Sequence, residues 1–137
     1  MSAERAFSAA VLAALKADTD VRAALGDPAR VYTRAPRGAA FPFLSTGRGE
    51  SEPLDGDGLE LIDHRLTLHI WARHGDEGTL KDALGAVRAA LHQADLTLDP
   101  PFTCVLCRVV YADMFTGPDG ATMHGVVRVR GLVERVG

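Results

Sequence analysis

The stretch that decides the fold is residues 65–73, which read RLTLHIWAR. Aliphatic side chains recur at every second position, at Leu66, Leu68 and Ile70. Successive side chains of a β-strand point to opposite faces, so this alternation predicts a strand with its aliphatic side chains on one face and Trp71 on the other. A core packed against the aliphatic face would leave Trp71 facing away from that core.

Helical periodicity flanks this strand on both sides. Apolar residues recur at spacings of three and four over residues 7–15 and again over residues 80–94, which places each set on one face of a helix. The first set predicts a helix over about residues 3–17. A second, short helix is predicted over about residues 19–25, because the glycine and proline that follow it end helices.

The C-terminal third of the chain predicts one long β-hairpin over residues 102–134. Residues 102–112 are apolar on both faces, which predicts a central strand covered on both sides. The turn is assigned to residues 117–120, which read GPDG, because proline fixes φ and glycine accepts a positive φ.

The region before the central strand holds a short strand and a polar segment. Residues 41–46 predict a strand, with Pro42 at a sheet edge or at the strand's start, because proline has no N–H to donate. Residues 47–58 are rich in glycine and acidic residues and lack apolar periodicity, so they predict an exposed loop. We expect this loop to be mobile in the free protein and ordered on assembly.

The order of these elements predicts an α+β fold. We expect a mostly antiparallel sheet with two main helices packed on one face and a long C-terminal β-hairpin. The sequence contains no internal repeat and no linker, so residues 1–137 are predicted to form a single domain.

Composition narrows the function classes. The chain has 137 residues, of which 47% are hydrophobic and 24% are charged, and its formal net charge is −3. This balance excludes a disordered chain and argues against a strongly basic nucleic-acid binder. The chain has two cysteines, too few for a disulfide scaffold. No apolar run is long enough to span a membrane and the N-terminus lacks a secretory pattern, so we expect synthesis in the cytoplasm and no membrane partner.

The two cysteines form a C-x-x-C pattern, Cys104 to Cys107. In a strand these positions point to opposite faces about 10 Å apart, too far for a disulfide. Zinc would need two further ligands, so a buried structural role is favoured over a small metal-dependent enzyme that uses both thiols and a histidine. No metal or cofactor is expected.

Other polar residues give no catalytic constellation. His64 and His69 are separated by an odd number of residues, so in a strand they point to opposite faces and cannot share a metal. No serine lies in a nucleophile-elbow pattern. Arg108, Arg128 and Arg130 could cluster on one sheet face, where they would contact either phosphate or, as favoured by the acidic total charge, solvent or an interface.

Several segments, taken in their order, carry a family resemblance. Besides an alanine-rich first helix and Gly47, they are RVY at 30–32, PRGA at 36–39, FPF at 41–43, HRLTLHIW at 64–71, VRAALH at 87–92, DG at 119–120 and HGVVR at 124–128. The chain resembles the tail-completion or tail-terminator proteins of long-tailed bacteriophages. It is most similar to the version encoded in alphaproteobacterial gene transfer agents, phage-like particles that package host DNA.

This resemblance implies a structural protein of a virion or phage-like particle. Such proteins form a hexameric ring that caps the tail tube, ends its polymerisation and presents a surface to the head-side stopper or connector, while DNA only passes through the lumen. The expected partners are other copies of the chain, the major tail tube protein and the head-side connector, with no catalysis. A neighbouring head–tail joining protein, such as the stopper, is the alternative.

If the protein forms a ring, its outward-facing aromatic residue marks a candidate contact. Aromatic side chains are enriched at interfaces, so Trp71 with its outward neighbours His69 and Arg73 is predicted to lie at or near a subunit contact. The alternative places Trp71 under a loop of its own subunit. Further candidates for a subunit or partner interface are Arg128, Arg130, Glu50, Glu52 and Asp55.

Overall fold

The computed structural model describes residues 1–56 and 58–136. Over these residues the chain forms three α-helices and one five-stranded sheet. The helices are α1 (Ala3–Ala17), α2 (Thr19–Leu25) and α3 (Glu77–Leu91). The strands are β1 (Val31–Tyr32), β2 (Phe43–Pro53), β3 (Glu60–Arg73), β4 (Phe102–Thr116) and β5 (Thr122–Arg135).

Local sequence explains where the first two helices begin. The Ser2 hydroxyl accepts a hydrogen bond from the Arg5 amide at 3.1 Å and caps α1. The Asp18 side chain accepts a hydrogen bond from the Val21 amide at 2.9 Å and caps α2. Both helices therefore begin at a side-chain cap. Both helices lie where the sequence predicted them.

The sheet has the strand order β1-β2-β3-β5-β4 and is antiparallel except for the short β1–β2 pair. The helices cover one face, here called the inner face, and the opposite face is called the outer face. The alternating side chains Leu66, Leu68 and Ile70 of β3 are buried on the inner face. The predicted α+β class, with its helices on one face and its C-terminal hairpin, is confirmed.

Strand β2 extends further than the sequence predicted. Residues 47–53 were expected in a loop but belong to β2, where Glu50 pairs with Arg65 and Glu52 with Asp63 of β3. Their apolar alternation is missing because this half of β2 is exposed and its register shifts between Thr46 and Gly49. Of the remaining predicted loop, residues 54–56 and 58 link β2 to β3 and Asp57 lies outside the described residues.

Strand β4 lies at the edge of the sheet, so its predicted central position is wrong. Its apolar outer positions include Val105 and Val110, which are 57% and 48% exposed. Each lies where the β4–β5 register shifts, so each is an extra residue at a β-bulge. The apolar run therefore has one covered face, which includes the buried Phe102 and Cys107, while Val105 and Val110 are exposed.

No helix within the described residues is long and apolar enough to cross a membrane.

Candidate interaction surface

The outer face carries a transverse row of ring side chains. Phe43 of β2 lies opposite Trp71 of β3, Trp71 opposite His124 of β5, and His124 opposite Phe115 of β4. The Trp71 and His124 rings stack with centroids 3.8 Å apart and planes 15° apart. Trp71 therefore lies on the outer face as predicted, half-buried against rings of its own subunit.

One member of this row, His124, is hydrogen-bonded to His69, which lies beside the row. His69 Nδ1 and His124 Nε2 lie 2.7 Å apart, so one ring donates a hydrogen bond and the other accepts it. Burial lowers the pKa of both imidazoles, and the charge of His69 lowers the pKa of His124 further. A side chain at position 47 would collide with the His69 ring, so Gly47 is needed where β2 passes it.

The arginines form a second group on the outer face, away from Trp71. Arg65, Arg130 and Arg108 lie side by side in one row across β3, β5 and β4. Arg130 makes two hydrogen bonds to Asp63, at 2.9 and 3.0 Å. Arg128, in the next row, stacks over the Tyr111 ring at 5.0 Å. The predicted clustering on one face is therefore observed, while the use of this face stays a prediction.

The predicted acidic candidates lie at the opposite edge. Glu50 and Glu52 are exposed on β2, and Glu50 forms an ion pair with Arg48 at 3.2 Å. Asp55 lies beyond the strand, where its carboxylate accepts a hydrogen bond from the Leu61 amide at 3.1 Å. These residues are not brought together with Trp71.

Arg73 lies at the end of β3, with its guanidinium 5.1 Å from the centre of the Phe41 ring. It joins the aromatic end of the outer face, where His69, Trp71 and Arg73 form one neighbourhood, separate from Arg128 and Arg130.

The two cysteines share a face, contrary to the sequence prediction. The bulge at Val105 lets Cys104 pair with Val133 and Cys107 with Gly131, both on the inner side of β5. Cys107 donates a hydrogen bond to the Leu91 carbonyl at 3.2 Å, and burial raises its pKa to about 12. The thiols are therefore protonated, as buried structural cysteines are. No cluster of three possible metal ligands occurs among the described residues.

One polar cluster was missed by the sequence analysis. Ser51 Oγ donates a hydrogen bond to Glu4 Oε2 at 2.7 Å and lies 2.8 Å from His64 Nδ1. The carboxylate here holds the hydroxyl, whereas a nucleophilic triad needs it to orient the imidazole. The cluster joins α1 to β2 and β3, and no sequence signal links Glu4 to a serine 47 positions away.

The comparison with protein families decides the assignment. A family model described as tail completion protein gp17 matches residues 9–134. The chain belongs to the tail completion protein gp17 family. The predicted resemblance is confirmed, and the chain is a structural tail protein.

Solved structures extend this family assignment to the fold. A chain from a structure titled "Virion of native gene transfer agent (GTA) particle" superposes with a TM-score of 0.87 at 24% sequence identity. The match covers 97% of this chain and 98% of the other chain. Among curated proteins, the search found no match to this sequence.

Proposed function

We propose that this tail completion protein is a tail terminator. Six copies form a ring on the end of the tail tube, stop its polymerisation and join the tail to the head-side connector, while DNA passes through the lumen. The observation that carries this proposal is the family match over residues 9–134. The particle is a gene transfer agent or a related phage-like particle, which the fold likeness to a chain of such a virion supports.

The chemistry of the described residues supports a structural role. Both thiols are protonated by burial, and the Ser51 hydroxyl is held by a carboxylate. The net charge of −3 suits a protein that DNA passes without being held. The protein is therefore proposed to be no enzyme and to need no metal or cofactor.

The position of the protein in the particle tests this proposal against the stopper alternative. A gold-labelled antibody against the protein should bind the head-proximal end of tails purified without heads. Labelling of filled heads that lack tails, with unlabelled free tails, would assign the protein to the stopper instead.

The aromatic end of the outer face is proposed as a contact with a subunit or with the tail tube. The change Trp71→Ala removes a half-buried ring stacked on His124, so we expect a folded protein that is less stable by about 1–3 kcal/mol. The mutant should fail to cap tails, because aromatic anchors carry much of the energy of an interface. Circular dichroism and tail lengths in electron micrographs measure the two effects.

Two outcomes would contradict this role. A mutant that is unfolded by circular dichroism would place Trp71 in the fold's own packing. A folded mutant with normal tails would place the contact elsewhere. Lys81→Ala, an exposed change on α3, is the matched surface control.

A further inference from the structure

The sheet has two uncovered edges at its opposite ends. Strand β1 pairs only with Leu44 and Ser45 of β2, so the edge of β2 over residues 47–53 has no strand partner among the described residues. At the other end, β4 has no strand partner beyond β5. An unpaired edge presents N–H and C=O groups to which another chain can bind.

Part of β4 is protected by its own subunit. The Gln93 amide donates to the Cys107 carbonyl at 2.9 Å, and the Val109 amide donates to His92 Nδ1 at 3.2 Å. Towards the hairpin turn, the segment of residues 110–116 has no such cover on this edge among the described residues. It carries the exposed apolar side chains Tyr111, Met114 and Phe115.

The strand directions favour a contact between unlike edges. The strands between them alternate in direction, so β4 runs antiparallel to β2 within one subunit. A second copy that continues the sheet therefore offers its β2 to β4 as an antiparallel partner. Such a contact joins different surfaces of the two copies, and repeating it by rotation closes a ring.

The charges of the two edges select a register. Because of the bulge at Val110, the outer-face side chains along β4 run in the order Asp113, Tyr111, Arg108. Along β2 in the opposite direction, the polar side chains are Arg48, Glu50 and Glu52.

Antiparallel pairing of β4 with the β2 strand of a neighbouring copy sets each of these side chains opposite one of complementary charge or hydrogen-bonding capacity. It places Asp113 opposite a neighbour's Arg48, the Tyr111 hydroxyl opposite Glu50, and Arg108 opposite Glu52. Arg108 and Glu52 are both exposed, and neither forms an ion pair with another described residue. Two within-subunit contacts compete with this pairing, the Arg48–Glu50 ion pair and the hydrogen bond that the Tyr111 hydroxyl donates to Asp113 at 3.3 Å. Both are exposed and can exchange partners at little cost.

We propose that residues 111–114 of β4 pair with residues 47–50 of β2 in a second copy of this chain, with the exposed Arg108 side chain bound to Glu52 just beyond the paired segment. This inference rests on the proposed ring and names the surfaces that close it.

Charge reversal tests the pairing in a bacterium that produces the particles and lacks its own copy of the gene. Arg108→Glu or Glu52→Arg alone sets like charges against each other, so we expect each to lower the yield of tailed particles at least about tenfold. The double variant Arg108→Glu/Glu52→Arg should restore the yield to within about threefold of wild type.

Co-expression of the two single variants is a sharper test of the same contact. In a ring that alternates the two variants, every interface again joins opposite charges, so co-expression should also restore the yield. Arg88→Glu, an exposed reversal on α3 away from both edges, is the control and should leave the yield unchanged. Circular dichroism confirms that each variant is folded.

A normal yield with Glu52→Arg, or a double variant no better than its worse parent, would overturn the proposal. An effect of Arg108→Glu that is independent of residue 52 would indicate a β4–β4 contact with two-fold symmetry instead. Neither result contradicts the terminator role if tails made without the protein are overlong. The proposed function fails separately if tails made without the protein have normal lengths.

A cross-link gives an independent measurement. Asp113→Cys combined with Arg48→Cys, in a chain with Cys104 and Cys107 changed to Ala, should form disulfides between neighbouring subunits in assembled particles. The expected result is a ladder of linked chains on a non-reducing gel, while Asp113→Cys alone gives monomer. If the variant with both new cysteines also gives only monomer, the pairing is contradicted.

Discussion

Gly131→Val is expected to prevent stable folding. Gly131 lies on the inner face of β5, directly beneath the fully buried ring of Phe7 on α1, and even a single added Cβ would collide with that ring. Valine would force Phe7 out of its site, at a cost similar to removing a buried aromatic ring, about 3–5 kcal/mol. This is a large share of the roughly 5–15 kcal/mol that stabilises a domain.

A matched pair of milder changes keeps this prediction measurable. Gly131→Ala should lower Tm by several degrees, since overpacking costs about 1–3 kcal/mol. Gly85→Ala, in the middle of α3 with open space around its Cβ, should instead stabilise the protein by about 0.5–1 kcal/mol. Thermal unfolding monitored by circular dichroism measures both, and equal stabilisation by the two changes would show that Phe7 does not pack on Gly131.

Acidification is expected to destabilise the protein well above the pH at which carboxylates titrate. Burial lowers the pKa of His64, His69 and His124 below the ordinary histidine value of 6.5. In the unfolded chain these residues take up protons as the pH falls through that value, while in the folded protein they stay neutral to lower pH. The unfolded state then binds more protons, so the free energy of unfolding falls with pH.

The size of the pH effect follows from the number of histidines. Their contribution is fully present above pH 6.5 and is lost as the pH falls from there towards their folded pKa values. Each can contribute up to about 1.4 kcal/mol per pH unit within this window. We therefore expect Tm to fall between pH 7.5 and pH 5.5.

Substitution of the histidine pair assigns the pH effect to particular residues. The double change His69→Gln/His124→Gln keeps polar groups on the outer face but removes two titrating rings, so Tm should depend less on pH. His74→Gln, an exposed change in the turn after β3, should leave the dependence unaltered. An equal dependence on pH in all three proteins would refute the role of the pair.

The elements with a strong apolar pattern were predictable from sequence. The helical spacing from Phe7 to Leu15 and the alternation from Leu66 to Ile70 arise because each element buries one face in the core. The sheet edges were not predictable in the same way. Residues 47–53 bury almost nothing, so their strand leaves no periodic signal. Val105 and Val110 of β4 have the residue type of a core but are exposed at bulges.

The candidate surface was predictable only as far as the direction of one side chain. The alternation of β3 placed Trp71 on the outer face, but its stacking on His124 depends on the β3–β5 register across 53 positions. The bulge at Val105 likewise brings Cys104 and Cys107 onto one face, because an inserted residue reverses the side-chain alternation. Such features depend on pairing between distant segments and not on local pattern.

The length of tails made without this protein tests the terminator role most directly. The measurement is the length distribution of tails in electron micrographs from a producing bacterium with the gene deleted, compared with the same strain carrying a plasmid copy. The terminator role predicts tubes of irregular and excessive length in the deletion strain, and a single normal length with the plasmid copy. Uniform tails of normal length that fail only to join heads would contradict it.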